Sequence, residues 1–234
     1  MKNLIALLLS LVCVTAAGAD NDALEGRHLR VQGQGVIQVR PDLATLQLGV
    51  EKRSPTVTQA MAQNNEAVAS ILQVLASAGI DEGDVLTTEL NVHRTVDRSP
   101  RRGSEEQMEK EVFVVRNLVQ ARIRELDHLG NIIDAAINAG ANEMRGLKFG
   151  LSDDREARDS AREAAVADAR HRAEQLAQLL GVRLGRVLRI SEQNSGGGRP
   201  EGMMMRMADA GSAPISVGDL NFRAGVEVVF ALKD

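Results

Sequence analysis

The stretch Leu29–Val50, "LRVQGQGVIQVRPDLATLQLGV", decides how the rest of the chain is read. From Leu29 to Val39 the odd positions are Leu, Val, Gly, Gly, Ile and Val, and the even ones are mostly Arg and Gln. A period of two with one apolar side marks a half-buried strand, whose inner face is thinned here by Gly33 and Gly35. Arg40-Pro41-Asp42 then reads as a turn, in which Pro41 presets φ and the Asp42 carboxylate can bond nearby backbone. Ala44, Leu46, Leu48 and Val50 resume the alternation. Two strands joined by so short a turn read as a β-hairpin.

Working outward, the period changes. In Pro55–Gly79 the residues Val57, Ala60, Met61, Asn64, Ala67, Val68, Ile71, Leu75 and Ala78 fall on one stripe of a helix, with Gly79 placed to end it. Asn64 sits within that apolar stripe. A buried amide needs partners, so Asn64 is expected to tie down a neighbouring loop. "DVLTTELNV" (Asp84–Val92) alternates as a strand, and Asp97–Lys110 has the charge, Pro and Gly of an exposed loop. "EVFVVRNLVQARI" (Glu111–Ile123) is apolar enough for a central strand. A second helix follows from Leu126 and stops at Gly140, and "MRGLKFGL" (Met144–Leu151) is a short strand.

The longest helix is expected over residues 153–180. Its alanines recur at 157, 161, 165, 169, 173 and 177, so a covering element can approach closely. Asp153 and Asp154 suit its N-terminus, where carboxylates meet free amides and the positive dipole end. Gly185–Ile190 is a strand, 192–214 a Gly- and Met-rich loop, and Phe222–Leu232 a closing strand. The order indicates an α+β fold with a largely antiparallel sheet and helices on one face, in one domain over residues 28–232. The α–β alternation of the second half would permit some parallel pairing.

The first nineteen residues read as a secretory signal peptide. Lys2 precedes an apolar run from Leu4 to Val14, and Ala17-Gly18-Ala19 supplies small residues for cleavage before Asp20. The only cysteine, Cys13, would leave with this segment, and the remainder is long enough to bury a core without disulfides. The formal net charge of −4 gives no reason to expect nucleic acid as a partner. With four Phe and no Tyr or Trp, the chain lacks the aromatic girdles of an outer-membrane barrel. No membrane-spanning segment is expected after cleavage, so the protein should be soluble in the exported compartment or held peripherally at an envelope surface.

No catalytic constellation and no cofactor site emerges. His28, His93, His128 and His171 fall on different elements without metal-ligand spacing. "GQG" at Gly33 lacks the third glycine and following helix of a dinucleotide site. The chemically unusual feature is Met203, Met204, Met205 and Met207, four thioethers within five positions. They suit an adaptable contact surface, a featureless loop, or a site that binds Cu(I) or scavenges oxidants.

Four segments occur in an order that resembles a known family: "GQGVIQVRPDLATLQLGVE", "NNEAVASILQVLASAGI" before "TTELNV", "VRNLVQARIRELDHLGNIIDAAINAGANEMRGLKFGLSDD", and "AREAAVADARHRAEQLAQLLGVRLGRVLRISE". Together they are similar to the SIMPL-domain family, the YggE-like and periplasmic immunogenic proteins of Gram-negative bacteria. The resemblance implies an exported, envelope-associated α+β protein without established catalytic residues. It also implies homo-oligomers in some members and a link to oxidative-stress protection in others. The matching positions Pro41, Asp42, Asn64, Asn117, Asp134 and Gly140 are read as fold determinants: a turn, buried amides and a helix stop. The family's tyrosines near Asp97 and along the following strand are absent here. The expectation is a non-catalytic, self-associating periplasmic protein that supports envelope integrity or oxidative-stress tolerance, with a Met-loop module for Cu(I) or oxidants as the alternative.

Overall fold

Both halves of the opening stretch are strands, yet they do not pair with each other. In the computed structural model, residues 26–99, 108–193, 199–200, 215 and 217–233 are described. The elements are β1 (His28–Val39), β2 (Leu43–Ser54), α1 (Val57–Ser77), β3 (Val85–Ser99), β4 (Met108–Ile123), α2 (Leu129–Asn138), β5 (Glu143–Gly150), α3 (Arg155–Leu179), β6 (Arg183–Gln193), β7 (Arg199–Pro200) and β8 (Leu220–Lys233). β1 pairs along its whole length with β8, nearly two hundred residues away, whereas β2 lies between β4 and β5. Arg40–Asp42 is therefore a crossing between two sheets and not a hairpin turn.

The physical reason lies in the bonds the three residues make. Pro41 is buried and has no N–H to offer a ladder. Asp42 N donates to Gly150 O at 3.2 Å, and Asp42 Oδ1 accepts from Ser152 N at 2.6 Å. The carboxylate thus anchors backbone beyond the end of β5, 110 positions away in sequence, instead of backbone beside it.

The class is α+β and the pairing antiparallel throughout the described ladders, without the parallel pairing that the second half would permit. The strands divide into two sheets, one ordered β1-β8-β6 with β7 attached to β8, the other β3-β4-β2-β5. Each sheet carries its own helices. α1 and α2 cover the β3-β4-β2-β5 sheet, and Leu46, Ile71, Leu75, Ile123 and Leu129 are fully buried between them. Burying a side chain of that size contributes about 1.5–3 kcal/mol.

α3 covers the other sheet with its six alanines, all buried. Here the glycines of β1 find their role. A Cβ on Gly33 would sit 2.1 Å from Ala165 O, and one on Gly35 2.0 Å from Ala161 O. Small residues on both partners bring helix backbone against strand backbone. Phe222, Ile37 and Phe149 join the two layers near the N-terminus of α3.

Strand limits differ from the sequence reading at two places. β3 runs to Ser99 and β4 starts at Met108, so both ends of the expected Asp97–Lys110 loop belong to a ladder. β6 runs through Gln193, and Arg199–Pro200 pairs with Asn221 and Leu220, inside the expected 192–214 loop. Residues 1–19, and Met203, Met204, Met205 and Met207, lie outside the described residues.

Candidate functional site

Asn64 projects from α1 and is fully buried. Its Nδ2 donates to Val50 O at 2.8 Å and to Val115 O at 3.2 Å. It therefore ties together two neighbouring strands, β2 and β4, and not a loop. Asn117 is buried on β4 opposite Val50. Asp134 is exposed on α2. Gly140 has φ +112 after α2, in the left-handed region that favours glycine, and a Cβ there would meet Ala67 Cβ at 3.3 Å.

Next to Gly140, the side chain of Asn142 accepts from Glu51 N at 2.7 Å and donates to Glu51 O at 2.8 Å. The amide continues the β2–β5 ladder past its last backbone pair. This arrangement holds a charged cluster in place. Arg116 lies 2.7 Å from Glu51 Oε2, and its Nε is 2.9 Å from Glu143 Oε2 in an ion pair made off the ideal hydrogen-bond line. Arg53 and Arg145 take the remaining carboxylate oxygens at 2.9 and 2.6 Å. Arg53 first, and then Arg116, hold the Glu51 carboxyl below the ordinary range, against the opposing effect of its burial. Glu51, Arg116 and Glu143 were not singled out in the sequence, because pairing across three strands leaves no spacing to read.

At the start of α3, Asp153 takes over the capping role. Its Oδ1 accepts from Arg155 N at 3.0 Å, and the Arg155 guanidinium and this backbone bond together lower its pKa to about 2. Asp154 pairs instead with Arg158, one turn on. Neither carboxylate is held in the raised state that a general acid needs.

The four histidines stand on β1, β3, α3 and immediately before α2. Among the described residues, no group of three or more His, Cys, Asp or Glu side chains is gathered as a metal site would require. An apolar cleft of about 740 Å³ between α1 and α2 is lined by Ser70, Val74, His128, Ile132 and Ala135. A second, polar cleft of about 620 Å³ lies at the sheet crossing, among Arg40, Asp42, Arg124 and Asp127.

The most unusual surface is the open edge of the second sheet. β3 is fifteen residues long and, among the described residues, bonded on one side only, to β4. β2 accompanies β4 from Ile123 back to Phe113, so beyond that point β3 and β4 continue, among the described residues, as a two-stranded ribbon. Leu90 (57% exposed), Val92 and Val96 lie on the face that α1 covers further in, and Leu86 (61%) lies on the other. Natural edge strands are normally short, bulged or charged, because unpaired N–H and C=O groups recruit another strand. β3 has one bulge, at Thr88, and carries Glu89 and Arg94, but it is long and exposes four aliphatic side chains. β5, at the opposite edge of the same sheet, exposes Met144 beside Ile137 of α2.

Among the described residues no helix is long and apolar enough to cross a membrane. The model of the family described as "SIMPL: Protein of unknown function (DUF541)" matches residues 29–230. The 26 kDa periplasmic immunogenic protein of Brucella melitensis is 30% identical over 216 residues, 88% of this chain and 85% of that protein. A protein of Escherichia coli K12 named "Uncharacterized protein YggE" is 28% identical over 240 residues, 100% of this chain and 95% of its own length. With the family's model spanning both sheets and all three helices, the chain belongs to the SIMPL family.

Proposed function

We propose that this protein is a non-catalytic component of the periplasm that self-associates, and whose assembly supports envelope integrity or oxidative-stress tolerance. The observation that carries the reading is the β3 edge, a long strand that among the described residues is paired on one side only and has aliphatic side chains exposed in the single chain. The periplasmic placement is supported by the printed name of the Brucella relative and by the secretory character of residues 1–19. The role in the envelope rests on the family resemblance. Light scattering of the purified protein at high micromolar concentration tests self-association: a mass several times that of the chain is expected, and a strict monomer overturns it. A strain lacking the protein is expected to lose viability under peroxide or detergent, and an unchanged survival curve removes the envelope role.

A further inference from the structure

We propose that the occupant of the β3 edge is the β5 edge of a second copy, so that the second sheet continues from chain to chain in a head-to-tail manner. This rests on the self-association reading and specifies the surface that performs it. β3 and β5 are the two outer strands of one sheet, ordered β3-β4-β2-β5, and each strand runs antiparallel to its neighbour. A second copy placed in the same sense therefore offers its β3 antiparallel to β5, the orientation already used throughout the sheet.

Charge favours this pairing over the alternatives. The N-terminal half of β3 and the turn leading into it carry Asp81, Glu82, Asp84 and Glu89 and no base, whereas β5 is net basic, with Arg145 and Lys148 against the single acid Glu143. The outer strands of the other sheet are unsuited to meet. β1 carries Arg30, with Arg27 and Arg40 at its ends, and β6 carries Arg183, Arg186 and Arg189 against the single acid Glu192, so both strands are net basic. The β1 edge is also partly closed, because the Asp168 carboxylate of α3 accepts from Gln34 N at 2.9 Å.

Register supports the same match. On the helix-covered face, β5 presents Met144, Leu147 and Phe149, opposite Leu48, Leu46 and Ala44. On that face β3 presents Val85, Thr87 and Leu90, opposite Ala121, Val119 and Asn117. Placing Arg145 against Glu89 sets Met144 against Leu90, Leu147 against Thr87 and Phe149 against Val85, each apolar position of β5 meeting the same face of β3. Each strand has one irregularity, at Thr88 in β3 and at Arg145 in β5, and in this register the two fall side by side. The pairing would cover Leu90 and Met144, which are 57% and 58% exposed in the single chain. Such a contact uses different surfaces on the two copies, so it propagates into a ring if the rotation closes and into a filament if it does not.

The test uses Leu90→Cys and Met144→Cys, made separately and together in protein with Cys13 replaced by Ser. Directly opposed strand positions bring Cβ atoms to about 4.5–5.5 Å, within disulfide reach. Mild oxidation is expected to leave each single variant uncoupled, to give a covalent dimer when the two are mixed, and to give a ladder of multimers with the double variant. Assembly by light scattering without a mixed dimer would overturn the β3–β5 contact while leaving self-association standing. Self-coupling of Leu90→Cys alone would replace it with a two-fold β3–β3 contact. A monomer in light scattering would remove self-association itself.

Discussion

At Asn64 a single amide decides how α1 sits on its sheet. Two strand carbonyls, Val50 O on β2 and Val115 O on β4, lie within reach of one helix side chain, and Nδ2 donates to both. An apolar residue of similar size keeps the packing but removes the bonds that Nδ2 gives to two buried carbonyls. The substitution Asn64→Leu is therefore expected to lower stability by about 2 kcal/mol, read as a reduced denaturation midpoint at unchanged slope. A loss under half that value would mean that water replaces the amide. The position was legible in the sequence as an amide within an apolar stripe. Its partners were not, because they lie fourteen and fifty-one residues away.

At the scale of elements, the pairing of β1 with α3 rests on absent atoms. Gly35 has no φ in the left-handed region, so its role is space and not backbone freedom. Adding one methyl group forces Ala161 O, at 2.0 Å, to retreat, and a helix backbone cannot move alone. Gly35→Ala is expected to cost about 3 kcal/mol or more, whereas Gly83→Ala, with open space around it, should stay within about 0.5 kcal/mol. Equal thermal shifts for the two variants would contradict this account. The four-residue recurrence of alanine announced a close approach without naming the partner. The two glycines in the first strand were the complementary signal, and matching the two across more than a hundred residues required the fold.

For the whole molecule, pH sensitivity follows from carboxylates on β2, in the turn before β3, and before and along α3. Glu51, Asp84, Asp153, Asp154 and Asp168 are all held below their ordinary values. The leading causes are hydrogen bonds from Arg53, Arg124, Arg155, Arg158 and the Gln34 amide respectively. A group whose folded-state pKa is depressed stabilises the fold above its unfolded value, and that contribution is lost as pH falls through the folded value. The melting temperature should therefore hold from pH 7 to about 5 and fall from about pH 4 toward 2, where Asp153 titrates. Because most of these pairs are solvent-exposed, each contributes little alone, and the decline is expected to be gradual. A melting temperature unchanged between pH 5 and 2.5 would show that the pairs contribute nothing to the fold.

What the sequence determined by itself is local: where period two gives way to period 3.6, where glycines end the three helices, and the ordered segments that mark the family. Gly79, Gly140 and Gly181 all stand at positive φ where the apolar periodicity stops. The tertiary structure alone decided the neighbours. Alternation in Leu29–Val50 states which side of each strand is buried, and that pattern is the same whether the second strand folds back or crosses to another sheet. The choice was made by the Asp42 bonds to Gly150 and Ser152, and by the fit of Gly33 and Gly35 under α3. The open β3 edge was hidden for the same reason. An unpaired strand carries the same residues as a paired one, and only the finished sheet shows which backbone groups remain without a partner strand.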